Sequence, residues 1–259
     1  MAGISISVLP IKSQEWIEYL DEPTEAPAWS GNAFSHKKYG GERIVEDPSF
    51  EDFLLKHKKE PETKQGILFK KILDTLCKSL PQHCEKLTQL DSVTGDGDLG
   101  NNVQSFLKVM EEKIDSIPFD EIGTAWFSLG QLIQSNWGGT SGSLFSIFVL
   151  SVSNQVTSFS EENIDWISVF QNALESVKRA GGAQVGDKTL IDMIHPFLQQ
   201  MKKNANDLLQ AKKVCEESLE AIKKMKAKKG RASYVKNENE QDPGAYLLFC
   251  IITETLKVF

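Results

Sequence analysis

From Thr63 to the C-terminus, apolar residues recur at the three- and four-residue spacing of one helical face. Ile67, Leu68, Ile72, Leu73, Leu76 and Leu80 open the pattern, and it returns over residues 103–114, 122–133, 144–156, 164–177, 190–201, 205–225 and 246–258. A period near 3.6 with almost no period-two alternation predicts helices rather than a sheet. Pro81 is placed to open a new helix at its first position. The connections are short, except over residues 226–242, so consecutive helices must turn back on one another. Eight or nine helices joined in this way predict an all-α, up-and-down bundle or helical barrel.

The first 60 residues differ. They contain Pro10, Pro23, Pro27 and Pro48, with Gly31 and the pair Gly40-Gly41. Residues 4–9 alternate with period two and predict one strand; residues 14–20 suit a short helix; residues 21–41 read as a linker. A lone strand cannot form a sheet. The expected division is therefore an arm over 1–60, shaped like the tail of another fold, and a helical domain over 61–259.

Composition narrows the function. The 259 residues carry 29 Lys+Arg against 36 Asp+Glu, a formal charge of −7. With 40% hydrophobic residues, the chain is too apolar for wholesale disorder. The acidic balance argues against nucleic acid, whose phosphates call for clustered Lys and Arg. It leaves open a phosphate ligand held by backbone N–H groups or by metal ions. The most apolar window, residues 144–152, is too short for a membrane span. Cys77, Cys84, Cys215 and Cys250 form no C-x-x-C pair, which predicts reduced thiols in a cytoplasmic protein. The N-terminus lacks the basic and apolar regions of a signal peptide. The lysine run between 223 and 229 reads as a solvated helix end.

The chemistry concentrates in the connections. Asp91, Asp96 and Asp98 fall within eight residues, interleaved with Gly95, Gly97 and Gly100. Carboxylates this crowded repel one another unless a cation neutralises them. Hard Mg²⁺ takes a few carboxylates together with substrate phosphates. The segment leads into a helix expected near Asn101, whose N-terminus can receive an anion. Two alternatives remain: an Asp/Gly-rich surface turn that binds nothing, and a calcium loop, against which Phe106 stands where the EF-hand pattern needs a Glu. Gly138-Gly139-Thr140-Ser141-Gly142 offers N–H groups and hydroxyls before an apolar helix, or alternatively a tight turn capped by Ser. Gly181-Gly182-Ala183-Gln184-Val185-Gly186-Asp187-Lys188-Thr189-Leu190 repeats the pattern, with Asp187 a candidate helix cap. Arg231 could pair bidentately with a phosphate. Asp242 suits an N-cap, followed by Pro243 and Gly244. In an up-and-down arrangement alternate connections share one end, so these four could converge on one nucleotide.

Taken in order, the motifs at 90–102, 138–142, 181–190, 230–234 and 242–245 resemble those of the ATP-binding L domain of dihydroxyacetone (glycerone) kinases. The segments 3–9 and 20–29 are similar to the end of the substrate-binding K domain and the K–L linker of single-chain enzymes, among them the triokinase/FMN cyclases. The resemblance implies an eight-helix antiparallel barrel that binds ATP or ADP at one end. Asp91, Asp96 and Asp98 would hold two Mg²⁺ ions. Leu99, Gly100, Asn101, Asn102, Thr140 and Ser141 would line the phosphates. Gly181, Thr189 and Leu190 would meet the nucleoside, and Arg231, Asp242, Pro243 and Gly244 would close the site. The reaction implied is phosphoryl transfer to dihydroxyacetone or glyceraldehyde, held by a K domain in trans. Many relatives carry His where this chain has Leu99, and leucine cannot donate to a phosphate. His36, His57, His83 and His195 match no part of the K-domain site. Two alternatives stay open: cleavage of FAD to AMP and cyclic FMN at the same metals, with Mn²⁺ as the ion used, and a nucleotide-binding isoform without turnover. The strand at 4–9 could pair two copies into a homodimer.

Overall fold

The computed structural model describes residues 60–157, 164–234 and 240–259, together with Ser13 and Glu15. The expected strand at 4–9 and linker at 21–41 lie outside the described residues, as does the helix at 14–20 apart from Glu15. Residues 50–259 belong to one unit and residues 2–49 to another. The helices below all belong to the first.

The described residues form α1 (Lys64–Ser79), α2 (Cys84–Thr94), α3 (Leu99–Lys113), α4 (Ile122–Asn136), α5 (Gly139–Val156), α6 (Trp166–Gly181), α7 (Ile191–Lys203), α8 (Leu208–Lys223) and α9 (Pro243–Leu256). No strand occurs among the described residues. The periodic stretches all became helices. Their starts follow local chemistry: Thr63, Asp165, Asp207 and Asp242 each accept a backbone N–H from three residues on. Each such cap stabilises its helix by about 1 kcal/mol. Pro81 does not open α2. It stands in a 3₁₀ turn, Leu80–His83, that carries α1 into α2, and α2 begins at Cys84.

Each helix from α2 to α8 packs on the next, and α9 packs back on both α1 and α2. The eight helices α2–α9 therefore close a ring, which is the expected barrel, and α1 lies against α3, α4 and α9. The ring is filled by side chains with no access to solvent, among them Leu87, Met193, Ile222 and Leu247. Burying a side chain of that size contributes roughly 1.5–3 kcal/mol. Trp126 stacks on Phe69 at 4.3 Å between ring centroids, which ties α4 to α1. All four cysteines are buried free thiols. No helix among the described residues is long and apolar enough to cross a membrane. His83 is part-buried beside the Tyr246 hydroxyl, 3.2 Å from Nδ1, and is a packing residue. His195 is also part-buried, while His36 and His57 lie outside the described residues.

The connections α2–α3, α4–α5, α6–α7 and α8–α9 are alternate ones, and they are the four that carry the glycine-rich motifs.

Candidate functional site

The aspartate loop is built around Asp91. This residue lies in the last turn of α2, and its Oδ2 accepts the backbone N–H of Asp98 at 2.9 Å and of Leu99 at 3.2 Å. The side chain thus folds the loop back and satisfies two donors at the start of α3. Glycine is needed at two points. A Cβ on Gly95 would collide with Asp91 Oδ1, and Gly97 has φ +74°, where an L side chain is strained. A Cβ on Gly100 would run into the Cys84 carbonyl and the Thr88 hydroxyl, so Gly100 sets how closely α3 crosses α2.

The result is a cluster. Asp91, Asp96 and Asp98 each present an oxygen within 4.8 Å of the others, with Asp91 half-buried and the other two exposed. Three carboxylates at this spacing form an all-oxygen donor set suited to a hard divalent cation. The space beside Asp91 Oδ1 exists only because Gly95 has no side chain. The residues present therefore fit Mg²⁺ or Mn²⁺.

Leu99 sits in the apolar core at 6% exposure, and its N–H is taken by Asp91. With its side chain in the core and its N–H on the Asp91 carboxylate, it anchors the loop. Asn101 is exposed and Asn102 half-buried, one turn into α3. The helix starts at Leu99, two residues before the expected position.

At the start of α5, the cap is Gly138, and no side chain caps the helix. The Ser-capped turn is thereby excluded. Gly139 has φ +77°, Thr140 is exposed and Ser141 half-buried. A Cβ on Gly142 would strike the Trp137 carbonyl, so this turn too is packed backbone to backbone.

The α6–α7 connection is organised by a residue that the sequence did not single out. Asp192, 3% exposed in the first turn of α7, accepts the N–H of Gly186 with one oxygen and that of Thr189, at 2.9 Å, with the other. Contrary to the expectation, Asp187 does not cap α7; it turns back to accept the N–H of Gln184 at 2.8 Å. An acid in the first turn is a sequence signal for a helix start, and it would have pointed to Asp192. Lys188 is buried, at 3% exposure, in left-handed backbone with φ +61°. Its ammonium lies 3.5 Å from the Lys223 carbonyl. The lysine run is likewise more than a solvated helix end. The Lys228 N–H donates to the Asp187 carbonyl at 3.1 Å, and the amines of Lys228 and Lys229 reach over Gly186 and Gly182.

The motifs meet at one end. Asp242 caps α9 by accepting the Ala245 N–H at 2.7 Å, with Pro243 in the first turn. Although its surface is part-exposed, its carboxyl is surrounded closely enough that burial pushes its pKa up to about 6. The Ala245 N–H and the Lys188 charge pull it down, whereas Asp192 and Asp91 push it further up. Asp242 is thus within electrostatic reach of both the aspartate loop and the α6–α7 connection. Gly244 faces Leu190, and Gly181 faces Leu144, one turn beyond Ser141 in α5. Arg231 begins a 3₁₀ turn, Arg231–Tyr234, that follows the lysine run.

The comparisons with known proteins agree with this geometry. The DAK2 domain model matches residues 93–257. A probable dihydroxyacetone kinase from Dictyostelium discoideum is 33% identical over all of this chain and 44% of its own length. The human triokinase/FMN cyclase is 29% identical over all of this chain and 46% of its own. The ADP-binding subunit DhaL of the Escherichia coli PEP-dependent dihydroxyacetone kinase is 29% identical over 62% of this chain and 81% of its own. This chain thus spans about half the length of the Dictyostelium and human relatives it matches. The crystal structure of the dihydroxyacetone kinase of C. freundii superposes with a TM-score of 0.63 at 23% identity, over 77% of this chain and 35% of that one. That likeness shows a shared helical fold. The extent of the domain match, on a barrel whose motif loops gather at one end, establishes that the chain belongs to the DAK2 domain family.

Proposed function

We propose that this chain is the Mg²⁺-ATP-binding part of a dihydroxyacetone or glyceraldehyde kinase. The observation that carries this reading is the cluster of three carboxylates within 4.8 Å, on a connection that alternates with the other glycine-rich connections of the barrel. The relatives named dihydroxyacetone kinase and the DhaL subunit named as ADP-binding support it. So does the crystal structure of the C. freundii dihydroxyacetone kinase in complex with AMP-PNP and Mg²⁺.

Asp91, Asp96 and Asp98 would hold two Mg²⁺ ions, whose charge, when bound, offsets that of the ATP phosphates. The residues of the chain do the positioning. Asp91 holds Asp98 and Leu99 by their N–H groups and so fixes the loop before any ligand arrives. The uncapped N–H groups and hydroxyls at Thr140 and Ser141 would receive phosphate oxygens. Gly181, Thr189 and Leu190 would form the nucleoside wall, with Arg231 and the Asp242–Gly244 turn closing it. Phosphoryl transfer depends mostly on such positioning and charge compensation. The acceptor triose would be held by a K domain, and residues 1–60 would be the end of such a domain and its linker. The buried free thiols are compatible with a reducing, cytoplasmic setting.

The test is Mn²⁺ titration followed by electron paramagnetic resonance. Binding that tightens on addition of ATP is expected, and Mn²⁺ binding indifferent to ATP would reject the reading. A second reading, FAD cleavage to AMP and cyclic FMN at the same metals, is favoured by the match to the human triokinase/FMN cyclase over the whole chain. Formation of cyclic FMN from FAD and Mn²⁺ by the purified chain would select it.

A further inference from the structure

One buried charge is not explained by metal or phosphate binding. Lys188 is 3% exposed, yet it is the one non-glycine residue with positive φ among the described residues. A left-handed backbone costs an L residue about 1 kcal/mol or more, and glycine would fit there without strain. Burying an ammonium costs more, unless it is compensated. The compensation surrounds it. Its ammonium lies 3.5 Å from the Lys223 carbonyl at the end of α8, and its charge acts on Asp242 at the start of α9. Next to it, the Lys228 N–H meets the Asp187 carbonyl at 3.1 Å. Three segments far apart in sequence are joined here: the α6–α7 connection, the chain leaving α8, and the N-terminus of α9.

We propose that Lys188 is a positioning residue, a buried clasp that holds the segment leading to Arg231 and the Asp242 turn against the glycine-rich α6–α7 connection. The clasp makes the nucleoside wall and its closing segment arrive as one piece. This rests on the proposed nucleotide reading for its consequence, but not for its geometry. Asp96 and Asp98 stand on another loop, so the metal cluster does not depend on it.

The experiment compares the full chain with Lys188→Met, Lys188→Gly and Lys188→Arg. Backbone amide exchange is read first, in protein without metal or nucleotide. Lys188→Met is expected to speed exchange at residues 182–189 and 224–234 by about tenfold, with α2–α3 unchanged, because the ammonium that holds the α6–α7 connection to the Lys223 carbonyl is gone. Lys188→Gly relieves the strained backbone and should behave in the same way, while Lys188→Arg should restore protection. Unchanged exchange in Lys188→Met, or full protection in Lys188→Gly, overturns the proposal. Mg²⁺-ATP and Mn²⁺ binding are then measured by calorimetry. The clasp predicts about tenfold weaker Mg²⁺-ATP binding in Lys188→Met with Mn²⁺ affinity kept; loss of both together marks a general folding role and overturns it. If the parent chain itself fails to bind Mg²⁺-ATP, the nucleotide reading falls, and the exchange result alone decides the clasp. Should Lys188→Met not fold, Lys188→Met combined with Asp242→Asn removes both charges and keeps the cap, and the same local increase in exchange is expected. Protection equal to that of the parent in this double variant overturns the proposal.

Discussion

The Asp91 carboxylate reaches seven residues along the chain to accept the N–H of Asp98 at 2.9 Å. One side chain therefore does two jobs: it is a member of the acidic cluster, and it is the strut of the loop that carries the other two members. Hydrogen bonds to a charged acceptor contribute roughly 1.5–3 kcal/mol each. Asp91→Ala is expected to lower the stability of metal-free protein by about 2 kcal/mol and to abolish metal binding. Chemical denaturation with and without Mg²⁺ reads both effects.

Asp96→Ala should separate the two jobs. Asp96 is exposed, and it adds to the carboxylate repulsion. Its removal is expected to eliminate Mg²⁺-dependent nucleotide binding while the metal-free melting temperature stays level or rises. A large fall in that temperature would assign Asp96 a structural role instead.

Gly100→Ala tests the close crossing of α2 and α3. The added methyl would meet the Cys84 carbonyl and Thr88 hydroxyl, and a backbone atom cannot give way as a side-chain tip can. The expected cost is about 1–3 kcal/mol, the usual range for overpacking, and the cluster should bind metal more weakly as the loop shifts. Equilibrium unfolding measures the first effect and Mn²⁺ titration the second.

Asp242 predicts a pH dependence of definite sign. Its folded pKa, about 6, lies above the ordinary carboxyl value of 3.8, so the native state holds this proton more tightly than the unfolded chain does. Its contribution is fully present below about pH 4 and is lost as pH rises through about 6. The amount is on the order of 1–2 kcal/mol, reduced because the group is part-exposed. Asp242→Asn can still cap α9. The difference in unfolding free energy between variant and parent should therefore grow in favour of the variant from pH 4 to pH 7, in metal-free protein. A difference that stays flat with pH would contradict the assigned shift.

How far this could be read in the sequence depends on the range of the interactions involved. The helices follow from 3.6-residue periodicity and from caps such as Thr63, Asp165 and Asp242, all local in sequence. The acidic cluster was legible because its three members lie within eight residues. The interior of the α6–α7 connection was not. Asp187 looks like the cap, but Asp192 makes the two bonds that cap the turn, since a buried first-turn acid can reach back where Asp187 is already turned to Gln184. The lysine run misled because its placement over Gly182 and Gly186 depends on the α6–α7 and α8–α9 connections meeting, which no local pattern encodes. Leu99 is a core residue whose N–H belongs to Asp91, a pairing that spans eight residues of the loop.

The central claim is that one end of this barrel binds a nucleotide through metal held by Asp91, Asp96 and Asp98. Isothermal titration of the full chain with ATP, in Mg²⁺ and again in excess chelator, tests it most directly. The account predicts saturable binding of one ATP per chain in Mg²⁺ and none in chelator. Binding of equal strength in both, or in neither, would contradict it.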